Sequence, residues 1–179
     1  MKTARLFLCF VAMGALLMAG CKKEDETIIA NDNEIVINNV RYPLESHIQT
    51  EGGVPRYMDC YQPVSESEES AYYFIGDVSA SNLTADLTKA PDGLYFFSFR
   101  AENLDNFSQG YNPDGWSGAN AINGTEYAGQ SIFSDGTIVI KTDNAGLLYK
   151  VDGTLKNGKT ISIKVVVPAE NFEPVPWEN

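Results

Sequence analysis

The chain predicts an all-β protein, built as an antiparallel β-sandwich, with a β-barrel as the alternative closure. Three observations carry this. From residue 34 onward, apolar residues recur at every second position in short segments. Asn, Asp, Gly and Pro divide those segments. Past the first 20 residues, no stretch repeats its apolar positions at helical spacing. A sandwich is favoured because alternating faces need a second sheet to cover them.

The elements follow in order. Glu34 to Asn38 places Ile35 and Ile37 on one face and Val36 on the other. Asn38-Asn39 turns the chain into Val40 to Leu44. His47 stands in Glu45-Ser46-His47-Ile48, which reads as strand or loop. Arg56 to Tyr61 alternates Tyr57 and Tyr61 against Met58 and Cys60. Ala71 to Val78 is rich in aromatic residues, and Leu83, Ala85 and Leu87 alternate with polar neighbours. Pro91-Asp92-Gly93 is a turn, since Pro presets φ and Gly accepts a positive one. Leu94 to Ala101 then sets Tyr95, Phe97 and Phe99 on one face.

The C-terminal third reads as a three-strand meander. Its strands are Gly136 to Thr142, Leu147 to Leu155 and Thr160 to Val167. Asp143 to Gly146 makes the first turn. Asn157-Gly158 makes the second, because both residues accept positive φ. Pro168, Pro174 and Pro176 are expected to stop further pairing.

The first 26 residues speak of location. Lys2 and Arg5 precede an apolar run, Leu6 to Met18, followed by Ala19, Gly20 and Cys21. This is the layout of a signal peptide. The run is well short of the roughly 20 residues that a spanning helix needs. Leu17-Met18-Ala19-Gly20-Cys21 resembles the lipobox of bacterial lipoproteins. That resemblance implies cleavage before Cys21 and acylation of Cys21 with chains such as palmitate. Residues 1–20 would then be the signal, 21–33 the lipidated cysteine and tether, and 34–179 the β-domain. The alternative is a plain secretory signal with Cys21 incidental. Lys22-Lys23-Glu24-Asp25-Glu26 resembles the charged tether of Bacteroidetes-type surface lipoproteins, which implies an outer membrane protein exposed at the cell surface. Read without the resemblance, the same run is a solvated linker. The hairpin-rich C-terminal region is also similar to small all-β surface lipoproteins of that group whose function is uncharacterised.

Composition narrows the partners. Removing residues 1–20 takes away Lys2 and Arg5 and no acid, leaving 159 residues with 11 cations against 24 acids. Nucleic acid is excluded as a partner, because its phosphates must be matched by Lys and Arg. Flat contact with anionic lipid is disfavoured on the same ground. The membrane contact expected is the lipid on Cys21. Only Cys60 then remains as a thiol, and its alternating surroundings read as a buried apolar position.

One segment lacks periodicity: Glu102 to Gln130, rich in Asn and Gly. A loop this long inside a compact domain is either a binding loop or an insertion. Tyr111, Trp116 and Tyr127, with Asp114, are candidates for a glycan or small-ligand site. There an aromatic ring covers the C–H face of a sugar and polar groups take its hydroxyls. The competing reading has Trp116 and Tyr111 folding back as a plug on the sandwich. Asp105, Asp114 and Glu126 offer oxygen ligands for calcium, but their spacing fits no compact calcium loop. No metal or cofactor is expected.

Catalysis is not expected either. His47 is the one histidine, and no Gly-x-Ser-x-Gly supplies a nucleophile elbow. No phosphate loop or dinucleotide fingerprint is present, though the many acids leave a carboxylate pair open. Two non-catalytic roles remain: a displayed glycan- or small-ligand-binding module, or a structural or adhesive accessory that contacts other envelope proteins.

Overall fold

Two neighbouring asparagines set the first hairpin. Asn38 and Asn39 both adopt positive φ, +48° and +67°, the backbone that a two-residue turn between twisted strands requires. They join β1 (Glu34–Ile37) to β2 (Val40–Pro43). The computed structural model describes residues 27–61, 72–77, 82–89, 95–101, 105–111, 120–127 and 129–174. Cys21 and the Pro91-Asp92-Gly93 turn lie outside them.

The chain continues through β3 (Glu45–Glu51), β4 (Val54–Tyr61), β5 (Tyr72–Asp77), β6 (Asn82–Asp86), β7 (Tyr95–Ala101) and β8 (Phe107–Tyr111). Two short strands follow, β9 (Ala121–Ile122) and β10 (Thr125–Glu126). The long meander is β11 (Phe133–Asp143), β12 (Gly146–Leu155) and β13 (Thr160–Pro168). A single 3-10 turn, Ala169–Asn171, leads to β14 (Phe172–Pro174).

These strands form two open sheets, as a sandwich requires, and do not close into a barrel. One sheet has six strands in the order β2-β1-β13-β12-β11-β6, and the other has eight in the order β10-β9-β8-β7-β5-β4-β3-β14. All neighbours run antiparallel except β14, which lies parallel to β3. The meander supplies the core of the first sheet. Leu147, Tyr149, Val151 and Leu155 are buried, as are Ile161, Ile163, Val165 and Val167. Ile48, Met58, Cys60, Phe99, Phe107 and Ile122 of the second sheet are buried in the same cluster. Burying each such side chain contributes roughly 1.5–3 kcal/mol.

Three expectations need correction. The stretch from Glu102 to Gln130 is not one long loop: it contains β8, β9 and β10. Its alternation is hidden because Gln109, a polar residue, takes a fully buried position beside Phe107 in β8. Pro168 and Pro174 do not end the pairing, and Pro176 lies outside the described residues. Pro168 closes β13 opposite Gly146, and Pro174 sits opposite Thr50 in β14. There β14 is the outermost strand, where a missing N–H is tolerated. The β12–β13 turn is also not the expected two-residue type. Within it only Gly158 has positive φ, +85°. The Gly158 N–H bonds the Leu155 carbonyl at 2.8 Å, and the Leu155 N–H bonds the Lys159 carbonyl at 2.8 Å. This is a tight turn closed by a glycine bulge.

Residues 28–33 of the expected tether run along the outer side of the six-stranded sheet. The Ile28 N–H bonds Asn39 Oδ1 (3.0 Å), the Ala30 N–H bonds Ser162 Oγ (2.9 Å), and Asn33 Oδ1 accepts the Val166 N–H (2.9 Å). Ala30, Val36 and Ser162 are all buried. Asn33 turns the chain back with φ +57°, and β1 begins at the next residue.

Candidate functional site

The β3–β4 pairing builds a row of aromatic and polar side chains. Register sets His47 opposite Asp59, Gln49 opposite Tyr57, and Glu45 opposite Tyr61. Met58 and Cys60 point into the core, so Tyr57, Asp59 and Tyr61 take the other face. His47 therefore lies diagonal to Tyr61, within reach of an aromatic contact. Their rings stack at 5.5 Å between centroids and 15° between planes. His47 Nε2 lies 2.7 Å from the Tyr61 hydroxyl, and His47 Nδ1 lies 3.7 Å from Glu173 Oε1 on β14. Tyr57 stands further along β4 with 47% of its surface exposed.

The electrostatics of this row favour holding over reacting. Desolvation, then the carboxylate of Glu45 and that of Glu173, push the Tyr61 phenol up. A phenol shifted that way stays protonated, so it donates or accepts hydrogen bonds but is no activated nucleophile. The thiol behind it is equally inert. Burial, above all, pushes Cys60 up to about 12, and its Sγ donates to Ser46 Oγ at 3.2 Å. A reactive cysteine needs the opposite shift.

A second polar cluster ties the turns at one end of the sandwich. Asp105 is buried. Its Oδ1 accepts from Asn123 Nδ2 at 2.7 Å, and its Oδ2 accepts from Asn157 Nδ2 at 2.8 Å and Lys159 Nζ at 3.0 Å. Burial alone would raise this carboxyl, but the donors of Asn123, Lys159 and Asn157 outweigh it and hold the group below its ordinary value. With both oxygens engaged by donors, Asp105 is a structural rivet rather than a calcium ligand. Glu126 stands exposed on β10, and among the described residues no group of three His, Cys, Asp or Glu side chains could hold a metal.

The other sequence candidates sit nearby or outside. Tyr127 is half-buried against the core, and Lys156 Nζ stands 4.6 Å from its ring centre. Lys156 also donates to Gln130 Oε1 at 3.2 Å. One face of the Tyr127 ring is therefore occupied by a cation. Tyr111 pairs through its backbone with Tyr95, but its side chain is outside the described residues. Asp114 and Trp116 are outside them altogether. Among the described residues the structure brings Tyr127 together with Lys156.

The row His47, Tyr57 and Tyr61 was missed as a unit by sequence reasoning. Its signal was Gly52-Gly53, a hairpin turn between two alternating segments, which fixes the register that puts His47 beside Tyr61.

No protein-family model, curated protein or solved structure matches this chain.

Among the described residues the row lies on a sheet face. Such a face suits an extended ligand. The span from Tyr57 to Tyr61 along the strand is about 13 Å, on the order of two to three sugar rings.

Proposed function

We propose that this protein is a lipid-anchored envelope protein, attached through Cys21 and displayed at the outer membrane surface, that binds glycans without catalysis. The observation that carries the binding reading is the His47–Tyr61 stack with exposed Tyr57 in the same row. Aromatic faces bordered by Glu45, Gln49 and Asp59 combine an apolar platform with hydrogen-bonding groups, the chemistry of sugar recognition. The upward shifts of Tyr61 and Cys60 support binding over covalent chemistry. The lipobox residues Leu17 to Cys21 support the anchor.

Binding is tested on a glycan array with the intact protein and with Tyr57→Ala. The expected result is at least a tenfold loss of the strongest signal, with the melting temperature moved by no more than a few degrees because Tyr57 is exposed. An unchanged glycan profile in the variant would sink this site. Anchoring is tested by growing cells on labelled palmitate. Label should enter the natural chain and be absent from Cys21→Ala; label retained by Cys21→Ala rules out acylation at Cys21.

A further inference from the structure

We infer that the sandwich meets the lipid surface with one defined end, the end that carries the β12–β13 turn and the β9–β10 hairpin. This rests on the anchor at Cys21 proposed above, and it adds a direction to that anchor.

The argument begins where the chain reaches the domain. The Ile28 N–H bonds the side chain of Asn39, in the β1–β2 turn. The neighbouring Asn38 N–H bonds the Thr160 carbonyl at 2.8 Å, and Thr160 is the first residue of β13. Lys159, one residue earlier, pairs with Asp105, which also holds Asn123 of the β9–β10 hairpin. The point of arrival and these turns therefore share one end of the body. The β11–β12 turn, Asn144-Ala145, lies at the other end of β12.

Length decides the orientation. Seven residue steps separate Cys21 from Ile28, at most about 25 Å when fully extended. β12 has 10 residues, so nine steps set its two ends about 30 Å apart. Placing the Asn144 end on the bilayer would raise Ile28 above the membrane by more than the tether can span. A body lying on its eight-stranded sheet would bring the exposed Glu45, Glu51 and Glu173 of β3 and β14 toward the lipid, which a negative leaflet disfavours. The end-on pose remains. The described residues there are polar: Asn123, Gly124, Thr125, Gln130, Lys156 and Asn157 are all exposed, which suits contact with headgroups rather than acyl chains. In this pose the β3–β4 row lies along the flank of the body, open to a ligand arriving from solution.

The test uses the full-length acylated protein in phosphatidylcholine vesicles that carry a nitroxide quencher on the headgroup. Fluorophores are attached through Lys156→Cys and, separately, Asn144→Cys, sites at opposite ends of β12; Cys60 is buried and does not label. Flotation with the vesicles is measured first. The expected result is at least threefold stronger quenching at position 156 than at 144. Flotation with equal quenching, or with stronger quenching at 144, overturns the orientation alone. Failure to float overturns the anchor and the orientation with it.

Discussion

Replacing Asp105 by Ala isolates the contact that ties three turns together. The carboxylate accepts from Asn123, Asn157 and Lys159. Lys159 is 44% exposed along its side chain and can return to water, so its share is small. The two amide bonds remain, and hydrogen bonds to a charged group are worth about 1.5 kcal/mol each at the low end. The expected loss is about 3 kcal/mol at pH 7. For a domain of this size, that lowers the melting temperature by about 6–12 °C. Urea unfolding followed by tryptophan fluorescence measures it. The pH dependence gives an independent check. Asp105 titrates below its unfolded value of 3.8 in the folded protein. Its contribution is present above pH 3.8 and is lost as pH falls through the folded value. The gap between the natural protein and Asp105→Ala should therefore be full at pH 7 and should shrink below pH 4. A loss under about 1 kcal/mol at pH 7, or a gap that is the same at pH 3 and pH 7, would refute the rivet.

Two further outcomes follow from buried groups. Gln109 is fully buried, and its Oε1 accepts the Ile132 N–H at 2.8 Å while its Nε2 donates to the Leu87 carbonyl at 3.3 Å. Gln109→Ala strands that N–H and opens a cavity, so chemical unfolding should register a loss of about 2–4 kcal/mol; a change under 0.5 kcal/mol would contradict the network. Cys60, buried and shifted up to about 12, should resist a thiol reagent in the native protein and react once urea unfolds it, and fast labelling in native buffer would show the thiol to be open.

The meander was readable because its alternation is unbroken: Ile161, Ile163, Val165 and Val167 turn the same way, and all are buried. What escaped reading shares a physical cause, since each case depends on a partner distant in sequence. Gln109 breaks the apolar pattern of β8 because its polar head is satisfied by Ser131 and the backbone of Leu87 and Ile132. Pro174 reads as a stop, yet at the margin of a sheet its missing N–H costs no ladder bond. Ala30 and Asn33 look like linker residues, and only Ser162 and Val166, over 130 positions away, reveal their bonds. The His47–Tyr61 stack needs a register that no single segment contains. The loop candidates Tyr111, Asp114, Trp116 and Tyr127 rest on composition, and for Tyr127 composition does not report that Lys156 stands over the ring.

The strap from Ile28 to Asn33 has a mechanical consequence. It runs alongside β13 in the same direction, then reverses at Asn33 into β1. A pull from the Asn39 end, where the tether arrives, acts along the strap and loads the Ile28–Asn39, Ala30–Ser162 and Asn33–Val166 bonds together, in shear. Each is worth on the order of 1 kcal/mol, and freeing the strap releases roughly 20 Å of extra chain. Tension then reaches β1 at Glu34, the far end of its four residue pairs with β13, and draws it back toward the Asn39 end, so those pairs open one at a time. The strap is thus the catch that resists, and the strand behind it is the part that unzips.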